Sequence, residues 1–268
     1  MSMKKVRTPQ DMIFKKQASE KFVVLTAFDY LTARALSEED IAFILVGDSL
    51  GNVFSGYKNT LPVTLDQIIY HTKAVVKGAS EAVVIADMPF MTYQISASQA
   101  VENAGRLIKE TGAQAVKLEV NPYQLELVSA IVQSGIPVIG HIGLTPQMVY
   151  QMGGYKVQGR DEKSRKMLEK MAKDLSDLGC VAVLLEMVVA SVAKQITDNL
   201  DVPVIGIGSG PNCDAQILVT QDVLGMSEKS PKFAKQYASF YSDMRHAIAS
   251  FKGEVLSGSF PSSDHYFE

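Results

Sequence analysis

Short apolar runs that end in a polar, chemically competent residue recur along this chain: FILVGDS (43–49), AVVIADMP (82–89), AVKLEV (115–120), PVIGHIG (137–143) and AVLLEM (182–187). Strands of a parallel sheet, covered on both faces, read as near-continuous apolar runs of this kind. When such strands close into a barrel, the residues at their C-terminal ends converge on one mouth. The pattern therefore predicts that Asp48, Asp87, Lys117, Glu119, His141 and Glu186 share a site.

The full set of runs is Val23–Phe28, Phe43–Asp48, Ala82–Asp87, Ala115–Val120, Pro137–Gly143, Val181–Met187, Pro203–Gly208 and Ile217–Leu224. Helix-start signals lie between most of them, at Thr64-Leu-Asp-Gln, Ser96-Ala-Ser-Gln, Pro122-Tyr-Gln-Leu and Arg160-Asp-Glu-Lys. Gly112, Gly135 and Gly179 each stand where a helix would end before the next strand. Repeated βα units imply a parallel sheet, open or closed. The count of eight favours closure, a (β/α)8 TIM barrel with an extra N-terminal helix over about Pro9 to Lys16. Pro231 to Lys252 reads as a long last helix, and the turn-rich segment from Gly253 onward as a tail.

A chain of 268 residues that is 47% hydrophobic can bury a full core. One barrel of roughly 250 residues suits it better than two ordinary domains, so a single domain over 1–268 is expected. The 26 basic and 29 acidic residues are interspersed, with net charge −3. No basic stripe offers itself to nucleic acid, and the expected partner is a small molecule. No apolar segment approaches the ~18 residues of a membrane span, and MSMKKVRTPQ is not followed by a signal-type apolar block. Only Cys180 and Cys213 are present, outside any CxxC pair, which suits small core side chains in a reducing compartment. The expectation is a soluble, cytoplasmic protein.

Two connections, SLGNVFSGYKNTLPVT after Asp48 and LTPQMVYQMGGYKVQGRDE after His141, exceed the few residues usual between strand and helix. Both follow candidate site residues and read as lids, with Gly153-Gly154 able to act as a hinge, or as simply disordered loops. The segment GIGSG (206–210) reads either as a tight turn or, less well, as a phosphate cradle.

The polar strand ends have alternative chemistries. Asp48 and Asp87 end successive strands, and two close carboxylates repel unless a cation lies between them; oxygen donors suit Mg2+ or a similar divalent metal. Taken alone, either Asp is more often a helix cap or a loop anchor. Glu119, at the next strand end, strengthens the metal reading. Lys117 and Glu119 face the same side of their strand, either as a structural pair or as an anion holder beside a metal support. Glu186 ends an apolar run, where a desolvated carboxyl has a raised pKa and can act as a general base. It could also stand on a surface loop. His141 fits an acid, a substrate hydrogen-bond donor or a satisfied core histidine. Asp29, the acidic residue at the end of the first strand, reads as a support of the site with no fixed role.

Several segments together resemble the ketopantoate hydroxymethyltransferase family: VGDSLG (46–51), TLPVT (60–64), YHTKAV (70–75), ADMPFM (86–91), GHIGLTPQ (140–147), GGYKVQGR (153–160), PVIGIGSG (203–210) and PKFAK (231–235). The resemblance runs from about Val23 to the C-terminal FPSSDHYF. It implies a (β/α)8 barrel of the phosphoenolpyruvate/pyruvate-binding type. It further implies transfer of a hydroxymethyl group from 5,10-methylenetetrahydrofolate to 3-methyl-2-oxobutanoate, giving 2-dehydropantoate on the route to pantothenate and coenzyme A. On that resemblance Asp48, Asp87 and Glu119 serve the Mg2+ site. Asp48, Ser49, Asp87 and Lys117 contact substrate and Glu186 accepts the proton, while the resemblance assigns nothing to His141, which could hydrogen-bond substrate. A homo-oligomer, decameric as in many members, is also implied. Val120-Asn121, Tyr57 and Phe28 depart from the usual residues, and none is a proposed ligand or base.

Two other readings compete. One is a Mg2+-dependent C–C lyase or phosphonomutase of the related barrels, although neither cysteine lies in the mouth-loop setting those enzymes use. The other is a non-catalytic barrel that binds an anion or builds an assembly, against which the intact set of reactive residues speaks.

Overall fold

The computed structural model describes residues 7–227 and 230–268; Met1 to Val6, part of the segment read above as lacking an export signal, and Glu228-Lys229 lie outside them. The chain forms two compact units, one up to Val219 and the other Thr220–Glu268.

The first unit contains eight strands: β1 (Phe22–Thr26), β2 (Phe43–Val46), β3 (Val83–Asp87), β4 (Ala115–Glu119), β5 (Val138–Gly143), β6 (Ala182–Glu186), β7 (Val204–Ile207) and β8 (Ala215–Leu218). They pair in parallel in sequence order, and β8 pairs with β1 to close the barrel. The helices of this unit are α1 (Asp11–Gln17), α2 (Tyr30–Glu38), α3 (Leu50–Val53), α4 (Leu65–Gly78), α5 (Ala97–Thr111), α6 (Leu125–Gln133), α7 (Val149–Met152), α8 (Glu162–Asp177) and α9 (Ala190–Asn199). Among the described residues, no helix is long and apolar enough to cross a membrane.

Local chemistry explains where the helices begin. Thr64 and Gln67 form a reciprocal capping box at α4, and Ser96 and Asp161 accept from the main-chain N–H three residues on at α5 and α8. Asp29 turns out to be such a cap: its carboxylate accepts from Thr32 N and Thr32 Oγ1, at 2.8 and 2.7 Å. Gly112, Gly135 and Gly179 stand just beyond α5, α6 and α8 with left-handed backbones.

Side-chain alternation along each strand separates two apolar layers. Val84, Val116, Val138 and Val183 pack outward under the helices. Phe22, Val24, Phe43, Leu45, Val83, Ile85, Ala115, Ile139 and Leu184 form the second cluster, joined by Met12 of α1. Continuing the inward columns of β3 to β6 toward the C-terminal end changes their chemistry: Val83 and Ile85 lead to Asp87, Ala115 to Lys117 and Glu119, Ile139 to His141, and Leu184 to Glu186. The barrel is apolar at one end and ionisable at the other.

Two element boundaries differ from the sequence reading. The eighth strand is not Ile217–Leu224 but Ala215–Leu218, followed by the short helix α10 (Thr220–Val223). Pairing with β1 fixes the strand at Phe22↔Ala215 through Leu25↔Leu218. No helix separates β7 from β8, which are joined by residues 208–214.

In the second unit the last helix is α11 (Phe240–Ser257), not Pro231 to Lys252. The N–H groups of Tyr237, Phe240 and Tyr241 bond to the carbonyls of Val223, Leu224 and Gly225, so this stretch leaves its helical partners for a distant segment. Gly225 permits that approach: a Cβ there would lie 2.2 Å from the Ala238 carbonyl oxygen.

Candidate active site

Strand register makes the site residues cross-strand neighbours. Asp87 is opposite Lys117, Glu119 opposite His141 and Gly143 opposite Glu186. The Lys117 ammonium lies 2.9 Å from Asp87 Oδ2 and 4.0 Å from Glu119 Oε1, and all three side chains are buried. Asp48 joins through its main chain, whose N–H donates to Asp87 Oδ2 at 3.0 Å. Ser49 follows at the start of α3, half-buried. His141 lies between two carboxylates, with Nδ1 3.8 Å from Glu119 Oε1 and Nε2 3.3 Å from Glu186 Oε2. All seven sequence-derived candidates are thus at one end of the barrel, and all fall in the first unit.

A glycine makes the last of these contacts possible. Gly143 has φ +99°, and a Cβ on it would meet the Glu186 carbonyl oxygen at 2.4 Å. The β5 and β6 ends can come this close only without a side chain there.

The electrostatics follow from burying several charges together. Burial pushes the Asp87 carboxyl up to about 7 against the pull of Lys117, with the Asp48 charge adding to the rise. Burial likewise holds Glu119 well above its usual range. Lys117 feels a strong desolvation cost, yet Asp87, Asp48 and Glu119 outweigh it and raise its pKa, so it stays protonated. His141 is pushed well below its usual value by burial and by Lys117, and is a neutral imidazole. Burial raises Glu186 to about 7, while its side chain retains 16% exposure. Tyr155, in the loop after β5, is raised by partial burial and then by Glu186 and Asp48, which puts its phenol in the field of the site.

Among the described residues, no three His, Cys, Asp or Glu side chains are grouped to hold an ion between them. Asp87 Oδ1 and Glu119 Oε1 are nevertheless buried, and neither has a hydrogen-bond partner among those residues. Orphaned carboxylate oxygens beside a single ammonium are the environment a hard cation neutralises. The residues fit Mg2+ held by one or two carboxylates with small ligands completing its shell, and do not fit a closed protein cage.

Two residues of the site escaped the strand-end pattern. Gln147, in the 3-10 turn Pro146–Met148, is buried; its N–H donates to Glu119 Oε2 and its amide to Asp48 Oδ2, both at 2.9 Å. Tyr93, fully buried, places its hydroxyl 2.9 Å from both the Glu119 carbonyl and Gln147 Oε1. Gln147 lies inside GLTPQ, a segment with no periodicity to mark it, and Tyr93 in a similar loop after β3.

The long loops adjoin one another: Asn59 Nδ2 donates to the Tyr150 hydroxyl at 3.4 Å. The second loop is pinned where Gln158 bridges Met187 and Val189 by main-chain bonds. In GIGSG, the buried Ser209 hydroxyl donates to the Leu185 carbonyl and accepts from Val188 N. That segment is a turn tied to β6.

A closed parallel barrel with carboxylates, a protonated lysine and a neutral histidine at its strand ends defines a class of α/β-barrel proteins. The fold is similar to 2,3-dimethylmalate lyase, a PEP mutase/isocitrate lyase superfamily member, with TM-score 0.63 and 16% identity over 96% of this chain and 92% of that one. Sequence goes further. The chain belongs to the ketopantoate hydroxymethyltransferase family, whose family model matches residues 6–263. It is 48% identical over 266 residues to a 3-methyl-2-oxobutanoate hydroxymethyltransferase of Geobacter metallireducens, covering 99% of this chain and all of the relative. It is 50% identical over 254 residues to that of Thermotoga neapolitana, covering 94% of each.

Proposed function

We propose that this site transfers a hydroxymethyl group from 5,10-methylenetetrahydrofolate to 3-methyl-2-oxobutanoate, with Glu186 removing the C3 proton. The observation that carries the mechanism is the setting of Glu186: a carboxyl raised to about 7, still reachable from outside, facing the same space as Lys117 and Asp48. A base with a pKa near neutrality is matched to proton abstraction beside a carbonyl.

Lys117, protonated and fixed by Asp87, attracts the keto acid's carboxylate. Asp48 and Asp87, with Glu119 alongside, are the residues that would hold Mg2+ or a similar divalent ion. Once bound there, such an ion supplies positive charge to the substrate oxygens as C3 loses its proton. Glu186 takes that proton, and the carbon left electron-rich forms the new bond to the methylene carbon carried by the folate; that carbon's two bonds to folate nitrogens break, a water molecule supplies the hydroxyl oxygen, and the nitrogens take up protons as tetrahydrofolate leaves. Ser49 contributes a hydroxyl at the first turn of α3. Neutral His141 flanks Glu186 and can donate one N–H to substrate. The two thiols are free and buried, which suits the cytoplasm, where we place the reaction. Family resemblance supports a homo-oligomer of decameric size.

The test is product formation by the purified protein with Mg2+. With both 3-methyl-2-oxobutanoate and methylenetetrahydrofolate, 2-dehydropantoate should appear in proportion to folate consumed. Cleavage of a keto acid without folate would favour the lyase reading instead.

A further inference from the structure

Gln147 enters the site from the loop after β5 and is only 2% exposed. Its side chain is wholly engaged. Nε2 donates to Asp48 Oδ2 at 2.9 Å and to the Met88 carbonyl at 3.0 Å, while Oε1 accepts from the Tyr93 hydroxyl at 2.9 Å. A carboxylate and a carbonyl can only accept from a neutral amide, so this orientation of the amide is the one its neighbours permit. The Gln147 main-chain N–H donates to Glu119 Oε2, and the Tyr93 hydroxyl also reaches the Glu119 carbonyl. One residue thereby ties the ends of β2, β3 and β4 to the loop after β5.

These bonds decide which oxygens remain. Asp48 Oδ2 and Glu119 Oε2 are occupied, and Glu119 Oε1 is left buried, without a hydrogen bond, beside Lys117 and His141. Both carboxylates are therefore held in one rotation, each with its second oxygen turned elsewhere.

We infer that Gln147, braced by Tyr93, is a positioning residue that orients the Asp48 and Glu119 carboxylates for a divalent cation. The inference rests on the metal-assisted reading above. Its physical content is pre-organisation: without the amide, Asp48 can rotate and an incoming cation must order it. Hydrogen-bond partners that hold metal ligands in place usually contribute about 10- to 100-fold in affinity or activity.

The experiment uses Mn2+ as the probe, its affinity read by electron paramagnetic resonance on the purified full chain, well below the unfolding midpoint of each variant. Gln147→Met keeps the volume and removes both donor and acceptor. It should weaken Mn2+ binding about 10-fold or more. Tyr93→Phe, which leaves Nε2 in place, should weaken it by a smaller factor. If Gln147→Met does not fold, Gln147→Asn, whose amide falls short of Asp48, reads the same quantity. Wild-type Mn2+ affinity in the folded Gln147 variant, even with a lowered melting temperature, would show a structural role and overturn the inference. Wild-type protein that binds no Mn2+ would overturn the metal-assisted reading beneath it.

Discussion

Glu186 Oε2 lies 3.3 Å from Nε2 of His141, and the same ring faces Glu119 Oε1 at 3.8 Å through Nδ1. A neutral imidazole therefore separates the proposed base from the carboxylates grouped around Lys117. A protonated one would pair with both and lower the basicity of Glu186. Burial keeps His141 neutral, so its role follows from its surroundings.

Replacing Glu186 by Gln preserves shape and hydrogen bonding while removing the base. Proton exchange at C3 of the keto acid should fall by about 100-fold or more, the usual contribution of a positioned base. Mn2+ and keto acid binding should persist. Exchange at the wild-type rate in this variant would remove Glu186 from the mechanism.

The pH dependence has a definite sign. Glu186 acts as a base only when deprotonated, and burial raises its pKa to about 7. Exchange should rise with pH below that value, about tenfold per unit, and level off above it. A bound cation shifts the midpoint downward without changing the sign. The residual rate of Glu186→Gln should lose this rise, which a stopped-time NMR series across pH would reveal.

Asp48 accepts from Gln147 and donates its main-chain N–H to Asp87. Asp48→Ala keeps the backbone bond and removes the carboxylate. Calorimetric titration should show loss of Mg2+ binding together with loss of exchange, in contrast to Glu186→Gln. Unchanged Mg2+ affinity would exclude Asp48 as a ligand.

Gly143→Ala introduces a Cβ against the Glu186 carbonyl at φ +99°. Strain of this kind costs about 1–3 kcal/mol, or a fall of several degrees in melting temperature on the order of 2–4 °C per kcal/mol. Because the clash lies on the backbone of Glu186, exchange should fall as well. A melting curve superimposable on the wild type would show that the two strand ends are less closely coupled than their geometry implies.

Cys180 and Cys213 are buried, and burial pushes the Cys180 thiol up to about 12. Neither should react readily with iodoacetamide in the native state, and Cys180→Ser or Cys213→Ser should leave turnover essentially intact. Rapid inactivation by alkylation would overturn the structural reading of the thiols.

Legibility in the sequence followed how local each cause was. The strand ends were legible because alternation within one strand already decides that Lys117 and Glu119 share a face, and a buried parallel strand needs little else. The capping signals at Thr64 and Ser96 are local too. The eighth strand and the last helix were misplaced because their limits depend on partners far along the chain: β1 for Leu218, and Val223 to Gly225 for residues 237–241. Gln147 was invisible for a related reason. Its importance comes from four neighbours spread over residues 48 to 119, none of which leaves a mark on the loop that carries it. Asp29 showed the opposite hazard, since a strand-end carboxylate is also what a helix cap looks like.

The central claim is that this barrel ionises C3 of 3-methyl-2-oxobutanoate through Glu186. Incubation of the purified protein with Mg2+ and the keto acid in deuterated water, followed by proton NMR without folate, tests it most directly. The account predicts steady loss of the C3 proton signal with wild-type protein and a loss slowed about 100-fold or more with Glu186→Gln. A C3 signal that persists with wild-type protein, or decays equally with both, would contradict it.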